Sequence, residues 1–389
     1  MTVENNNKEV KQKLKIITVA GARPNFMKVA PFLKALEKAN ESSTNCAIIS
    51  MLVHTGQHYD INMSDVFFKN LQIKQPEYHL GIGGAAVGSI VEQTARIMVE
   101  FEKVLVKEKP DLVVVVGDVT STISCALTSA RYGVKVAHIE AGLRSFDRTM
   151  PEEINRILTD QISELLFVTE ESGVKNLKNE GISDNKIFLV GNLMIDSLVQ
   201  FKEVAAKSTI LQELGLEKEK YIAATLHRPS SVDDKQTFAN LLDAFEKIQT
   251  KMKIVLPLHP RSRKKLQEFG LQSKVENMKN LLIVEPIGYF DFLRLMMDAK
   301  LVITDSGGIQ EETTFLGIPC LTTRNNTERP STIELGTNVL VGLDKNKLVD
   351  EALKVLSGNA KKGVVPPLWD GKAAERAVKI IVEYLKIRS

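Results

Sequence analysis

The chain is 389 residues long, which at about 100–200 residues per domain predicts two domains. Its 43% hydrophobic and 25% charged residues exclude global disorder, and 51 Lys and Arg against 48 Asp and Glu leave a net charge of +3, too slight a footprint for a nucleic-acid or anionic-membrane partner. Three widely spaced cysteines, Cys46, Cys125 and Cys320, form neither a disulfide framework nor a zinc pattern, so a reducing cytoplasm is the expected home.

The polar start, Met1 to Lys13, carries no apolar core of the kind a secretory leader needs. Leu14–Val19 reads as the first strand and runs into Gly21-Ala22-Arg23-Pro24. A helical stretch follows, with Phe26, Val29, Ala30, Leu33 and Leu36 on or near one face; Pro31 is expected to kink it or confine it to its early turns. Further strands are predicted at Ala47–Val53, Leu112–Val116, Val134–Ile139, Leu165–Val168 and Ile187–Val190. Leu112–Val116 is the longest purely aliphatic run and falls far short of a membrane span. After a largely helical stretch, Met194 to Lys220, the pattern restarts with Tyr221–Thr225, Ile254–Leu258, Leu281–Val284, Leu301–Thr304, Pro319–Thr322 and Val339–Val341. Ala373 to Ile387 reads as a terminal helix with an apolar side. Strands alternating with charged helical stretches predict an α/β chain of two doubly wound parallel sheets, joined near Gly191-Asn192. Ligands of such sheets sit beyond the carboxyl ends of the strands, so the residues just after each strand are the candidates.

The clearest of these is Thr304-Asp305-Ser306-Gly307-Gly308-Ile309-Gln310-Glu311-Glu312, a strand running through a Ser-Gly-Gly turn into a helix. Glycines permit close backbone approach, the free N–H groups and positive dipole end suit a diphosphate, and Glu312 is placed to accept from a ribose diol. A tight strand-to-helix turn that binds nothing explains the spacing equally well. Asp118 follows one strand in Gly117-Asp118, and Glu140 follows another in His138-Ile139-Glu140-Ala141-Gly142. Paired carboxylates in a crevice suit acid–base work, although Asp118 before Thr120 and Ser121 also fits a helix cap. Glu152 and Glu153 after Pro151 read, on their own, as ordinary first-turn helix acids. His227 with Arg228, and His259 with Arg261 and Arg263, stand at strand ends of the second half, where basic groups suit an anionic substrate and capping roles fit as well. His54 and His58 are four apart but read as a loop without a zincin's glutamate, so no metal site is expected. Gly81-Ile82-Gly83-Gly84-Ala85-Ala86 fits a dinucleotide-binding pattern, yet Lys74 to His79 before it is not a buried strand, so no nicotinamide cofactor is expected.

Taken in order, these motifs resemble the non-hydrolysing UDP-N-acetylglucosamine 2-epimerases over nearly the whole chain after Lys13. The resemblance rests on Gly21-Ala22-Arg23-Pro24 with Lys28, Thr55-Gly56-Gln57-His58, Gly117-Asp118, His138 to Arg144 and Pro151 to Arg156. In the second half it rests on Leu226-His227-Arg228, Ser306 to Glu312 and Thr327-Glu328-Arg329-Pro330. It implies a GT-B-like fold of two Rossmann-like domains with the active site in the interdomain cleft. The first would span residues 1–192, with the terminal helix of 373–389 packing back on it, and the second residues 193–372. It also implies that Ser306, Gly307 and Gly308 hold a diphosphate, Glu312 the ribose and Phe292 the uracil, with Arg23, Lys28 and His227 lining the nucleotide site. Asp118, Glu140 and Glu152 match the family's catalytic carboxylates, which replaces the helix-start reading of Glu152 and leaves that of Glu153.

The implied reaction is C2 epimerisation of UDP-N-acetylglucosamine to UDP-N-acetylmannosamine through a 2-acetamidoglucal, by a cytoplasmic homodimer supplying cell-surface polysaccharide precursors. It calls for no metal and no redox cofactor. After His227-Arg228 the chain has Pro229-Ser230-Ser231 where many members carry Arg/Ala-Glu-Asn, so the substrate contacts of this loop depart from the family's. Related UDP-2,3-diacetamido-uronates stay open as substrates. Bacterial members commonly use a second UDP-N-acetylglucosamine as effector, and Gln57, Arg228 and His259 match part of that site. The place of a second glutamine falls at Asp60, and that of an arginine falls among Gly81 to Gly88, which offer only Gly, Ala, Val and Ile, so this site is expected to be weakened. The alternatives are a GT-B glycosyltransferase, a hydrolysing relative, or a catalytically silent nucleotide-sugar-binding protein, against which the three acids argue.

Overall fold

The computed structural model describes residues 12–42, 46–57, 68, 71–83 and 88–387. They fall into two compact units: the first runs to Ser197 and takes back the chain from Lys372, and the second is Leu198–Gly371. Each is built on one parallel sheet flanked by helices. No helix among the described residues is long and apolar enough to cross a membrane.

In the first unit the strands are β1 (Gln12–Ala20), β2 (Cys46–His54), β3 (Tyr78–His79), β4 (Leu112–Val116), β5 (Lys135–Ala141), β6 (Leu165–Val168) and β7 (Ile187–Leu189). They lie in the order β3-β2-β1-β4-β5-β6-β7, all parallel. Every residue of β4 is buried, as expected of a central strand covered on both faces, which is why it reads as an unbroken aliphatic run. The strand missing from the sequence reading is β3, a two-residue edge strand that pairs Tyr78 with Val53 and has no apolar run to announce it. The helices between are α1 (Arg23–Ser42), α2 (Ile90–Glu108), α3 (Thr120–Arg131), α4 (Pro151–Ile162) and α5 (Glu171–Asn179); α6 (Leu193–Ala205) begins in the first unit and continues into the second.

Pro31 does not confine α1 to its early turns, because the helix continues to Ser42. A proline leaves the carbonyl four residues earlier without its helical N–H donor. Here that carbonyl is Met27 O, and the buried Ser197 hydroxyl of α6 donates to it instead.

The second unit contains β8 (Tyr221–Thr225), β9 (Lys253–Pro257), β10 (Leu281–Val284), β11 (Leu301–Thr304), β12 (Cys320–Thr322) and β13 (Asn338–Leu340), in the parallel order β10-β9-β8-β11-β12-β13. Its longer helices are α7 (Lys235–Ile248), α8 (Pro260–Glu268), α9 (Tyr289–Met297), α10 (Gly307–Leu316) and α11 (Lys345–Leu356). Phe238, Leu241, Phe245, Ile254, Leu256 and Ile303 pack one core, while Tyr221, Val255, Leu293, Leu295, Met296 and Val302 pack another. The chain then returns as α12 (Ala373–Ile387) to the first unit. There the buried Asp196 carboxylate accepts from Ala373 N and Ala374 N at 3.1 and 2.7 Å, and Lys38 pairs with Glu375 at 2.7 Å.

The Ser197 bond has a measurable signature. Ser197→Ala should cost about 1–3 kcal/mol by leaving Met27 O unsatisfied, whereas in a Pro31→Ala background the restored N–H should recover much of that loss. Additive losses in urea denaturation would mean that the hydroxyl does not stand in for the missing donor.

Candidate active site

Each sheet reverses its strand order at one pair of neighbours, β1 with β4 and β8 with β11. The ground beyond such a pair is where open parallel sheets bind ligands, and the candidate residues cluster there.

Beyond β1 the chain turns at Gly21, where any Cβ would run into the Ser121 side chain. Asn25 closes the turn: its Oδ1 accepts from Gly21 N and Ala22 N at 3.2 and 2.9 Å, and its Nδ2 donates to Val116 O at 3.1 Å. One turn further along α1, buried Lys28 pairs with Glu140. Glu140 is the extra residue of a bulge in β5, since Ile139 faces Phe167 and Ala141 faces Val168, and its φ is +75°. A non-glycine residue in that left-handed region costs about 1–3 kcal/mol and persists only where its surroundings hold it. Such a bulge re-aims a side chain.

Beyond β4, the Asp118 carboxylate pairs with Arg156 of α4, and its carbonyl accepts from Asn155 Nδ2 at 2.8 Å. Asp118 is therefore no helix cap; Val119 occupies that position on α3. Arg156 is held by Glu153 Oε2, at 3.1 Å from Nε and 2.8 Å from Nη2. Glu153 also accepts from Ser145 N, Ser145 Oγ and Phe146 N at 2.9, 3.0 and 2.8 Å. Burial opposes its charge, but the Ser145 N–H and Arg156 outweigh that and hold the carboxyl below its ordinary range. Glu153 is a first-turn acid of α4, as expected, and its side chain also organises the loop before α4 and the arginine that holds Asp118. Glu152, beside it, is exposed. Behind these groups His138 Nδ1 lies 2.7 Å from Asp160 Oδ1 and Nε2 lies 2.8 Å from Gly117 O, tying β5 to α4 and to the end of β4.

In the second unit Asp305, directly after β11, is fully buried. Its Oδ2 accepts from His227 N and Arg228 N, both at 2.8 Å, and its Oδ1 lies 2.9 Å from His227 Nδ1. Burial works against its charge, yet His227 and the two backbone N–H groups hold the carboxyl below its ordinary range. The His259 ring centroid is 6.0 Å from that of His227, and its Nδ1 caps α8 by accepting from Arg261 N at 3.2 Å. Burial, then His227 and Arg261, push its pKa down.

Ser306 stands at the N-cap of α10 without a side-chain cap bond, and the first turn carries no acid. A Cβ on Gly307 would lie 2.6 Å from Arg329 Nη1 and 3.0 Å from Glu328 Oε1, so any side chain there would have to push the buried ion pair aside. Under the turn, Glu328 meets Arg324 at 2.8 Å and Arg329 at 2.5 Å, Arg329 meets Glu311 at 2.8 Å, and Arg228 stands 3.8 Å from Glu328. Three arginines against two glutamates reinforce the positive helix end, an arrangement suited to an anion. Buried Glu312 accepts from Tyr289 Oη at 2.8 Å. Burial pushes its carboxyl up to about 7, Tyr289 pulls against the rise and Glu311 adds to it. Phe292 is half-buried on α9.

Sequence reasoning therefore placed the strand-end acids but missed most of what holds them. Asn25, Arg156, Asp160 and Tyr289 carry no local signal, whereas Asp305 follows a strand as Asp118 does; Glu140, expected just after its strand, lies inside β5 because the strand continues through the bulge to Ala141. Gln57 Oε1 accepts from Ser121 N and Oγ at 3.0 and 2.7 Å, so that end of its amide is engaged at the start of α3. His58, Asp60 and the side chain of Arg23 lie outside the described residues. Among the described residues no group of three or more His, Cys, Asp or Glu is placed to hold a metal ion.

Glu312 gives a pH-dependent expectation. Between a carboxyl's ordinary value and about 7, the folded chain keeps a proton that the unfolded chain has released, so stability falls as pH rises through that window. Glu312→Gln preserves the shape and removes the titration. Denaturation midpoints of ligand-free protein should favour the variant increasingly from about pH 5 to about pH 8, whereas a constant offset would mean an ordinary carboxyl.

Comparison with known proteins places this geometry. Residues 40–382 match the profile of the UDP-N-acetylglucosamine 2-epimerase family. The chain is 44% identical to a UDP-N-acetylglucosamine 2-epimerase of Methanocaldococcus jannaschii, over 95% of this chain and 99% of that one. It is 42% identical to a UDP-2,3-diacetamido-2,3-dideoxy-D-glucuronate 2-epimerase of Pseudomonas aeruginosa, over 87% and 91% respectively. A crystal structure of the M. jannaschii UDP-GlcNAc 2-epimerase in complex with UDP-GlcNAc and UDP has a TM-score of 0.85 to this chain at 44% identity, covering 96% of this chain and 100% of that one. With a family profile matched over most of its length and relatives this similar end to end, the chain belongs to the UDP-N-acetylglucosamine 2-epimerase family.

Proposed function

We propose that the chain interconverts UDP-N-acetylglucosamine and UDP-N-acetylmannosamine by removing and returning the proton at C2 of the sugar. Family membership supports the reaction class. The observation that carries the residue assignment is Glu140, a buried carboxylate held in left-handed backbone at a bulge and paired with Lys28. Strain at such a position suits a proton-transfer group whose aim matters more than its local stability.

In this reading Ser306, Gly307 and Gly308 receive the diphosphate at the start of α10, where the Ser306 N–H already donates to Thr304 Oγ1 and the glycines bring theirs; Glu312 accepts from the ribose hydroxyls, and Phe292 packs on the uracil. Arg23, Lys28 and His227 line the nucleotide. Carbon 2 has no neighbouring carbonyl, so its proton becomes acidic only as the bond from C1 to UDP breaks. One of Asp118, Glu140 and Glu152 takes that proton, leaving 2-acetamidoglucal and UDP. A proton returned to the opposite face at C2, with re-addition of UDP at C1, gives the manno isomer. The enzyme works as a cytoplasmic homodimer and supplies precursors of cell-surface polysaccharides. The same chemistry on a UDP-2,3-diacetamido-uronate is a second reading, favoured by the similar identity of the Pseudomonas relative.

Proton NMR in deuterium oxide tests both. Deuterium should enter C2 as the manno isomer accumulates, and running the two UDP-sugars side by side ranks them by rate. Epimerisation with the original hydrogen retained would point to transient oxidation, and turnover only with an added sugar acceptor would point to a glycosyltransferase.

Binding and chemistry should also separate by residue. At about pH 8, where Glu312 carries its charge, Glu312→Ala should weaken UDP by about 1.5–3 kcal/mol, the worth of hydrogen bonds to a charged acceptor, and by less below the carboxyl's value of about 7. Glu140→Gln should leave UDP affinity nearly unchanged and lower turnover by about 10²–10⁴-fold. Calorimetry and rates showing the reverse would exchange the roles of the two glutamates.

A further inference from the structure

Asp305 has no part in the assignments above, yet it is where the donors of two strand ends converge. β8 and β11 are neighbours in register, Thr225 beside Thr304, so Asp305 and the 226–228 segment leave the sheet side by side. Oδ2 is satisfied by the backbone N–H groups of His227 and Arg228. Oδ1 is buried, accepts no well-aligned hydrogen bond among the described residues, and has His227 Nδ1 2.9 Å away. A buried carboxylate oxygen without a donor is costly, and His227 Nδ1 at 2.9 Å is near enough to supply an N–H. His259 Nδ1 is engaged elsewhere, accepting from Arg261 N. The His227 side chain is 40% exposed, so its ring is open to a ligand while Nδ1 stands beside Asp305.

We propose that Asp305 is the positioning residue for His227: it holds the Nδ1 proton and steadies the charged ring, so that Nε2 presents an N–H to the diphosphate as it departs from C1. The proposal rests on the epimerase reading. When the C1–O bond breaks, the electron pair goes to the diphosphate oxygen, and an imidazolium N–H answers the charge that develops there. A carboxylate behind the ring fixes its tautomer and stabilises its cationic form, as in other histidine–carboxylate pairs. Asp305 directly precedes Ser306 in the chain, so the histidine is held beside the turn expected to bind the diphosphate.

Two measurements decide it. In steady-state epimerisation, Asp305→Asn should lower kcat roughly 10- to 100-fold, the scale found for groups that orient a histidine, with KM and UDP affinity changed less than about threefold. In a His227→Asn background the same substitution should have little further effect, because it acts through the missing ring. Multiplicative losses, or a collapse of UDP affinity, would overturn the proposal and make Asp305 part of the turn alone. The second measurement needs no variant and no turnover: nitrogen-15 NMR of histidine-labelled wild-type protein with UDP should show a proton on Nδ1 of His227. A bare Nδ1 overturns the pairing even if the enzyme is active, while a protein that shows the Nδ1 proton but epimerises no UDP-sugar leaves the pair standing and removes the epimerase reading.

Discussion

Taking a carboxylate out of water requires a cation or several N–H donors in place of the solvent. Asp118, Glu140 and Asp305 each follow or end a buried strand, and each finds its replacement on a different element. Glu140 meets Lys28 of α1, Asp118 meets Arg156 of α4, and Asp305 meets the chain that leaves β8. These pairings cross between elements, so they fix where α1 and α4 stand against the first sheet and how two loops of the second sheet leave it. Removing one member of a buried pair costs about 3–5 kcal/mol in general. The groups best suited to chemistry are therefore also the ones that align the ends of the strands.

The strands were legible because parallel sheets bury both faces. Leu112–Val116, Leu165–Val168, Tyr221–Thr225, Leu281–Val284 and Leu301–Thr304 appear in the structure with the bounds their apolar runs suggest. β3 was not, since an edge strand of two residues leaves no periodic trace. The donor for the carbonyl freed by Pro31 in α1 comes from Ser197, a residue far along the chain, and no local window contains that information. The same holds at the candidate site. A strand-end acid is visible locally, but Arg156 behind Asp118, Tyr289 behind Glu312 and the bulge that turns Glu140 are products of tertiary packing. Glu153 shows the limit most clearly: an acid after proline has an ordinary helical explanation, and only the folded loop from Ser145 to Phe146 reveals what the side chain holds.

Several of these features lower local stability where a ligand or a proton would restore it. Glu140 sits in backbone that disfavours any side chain, Glu312 is buried deeply enough to keep its proton near neutrality, and α10 begins without a side-chain cap. Each departs from what local propensity alone would choose, and sites of function are where such departures are expected. The buried arginines around Glu328 extend the pattern, since they set like charges close together beneath a helix end that is already positive.

The return of α12 to the first unit bears on how the protein is made. Asp196 waits at the start of α6 for two N–H groups that belong to Ala373 and Ala374, and Lys38 waits for Glu375. On the ribosome, all of Leu198–Gly371 emerges before those partners do. The second unit is thus a contiguous segment free to fold as it is synthesised, while the first must hold an unfinished face of α1 until α12 has been made. The first unit, begun before the second, is completed after it.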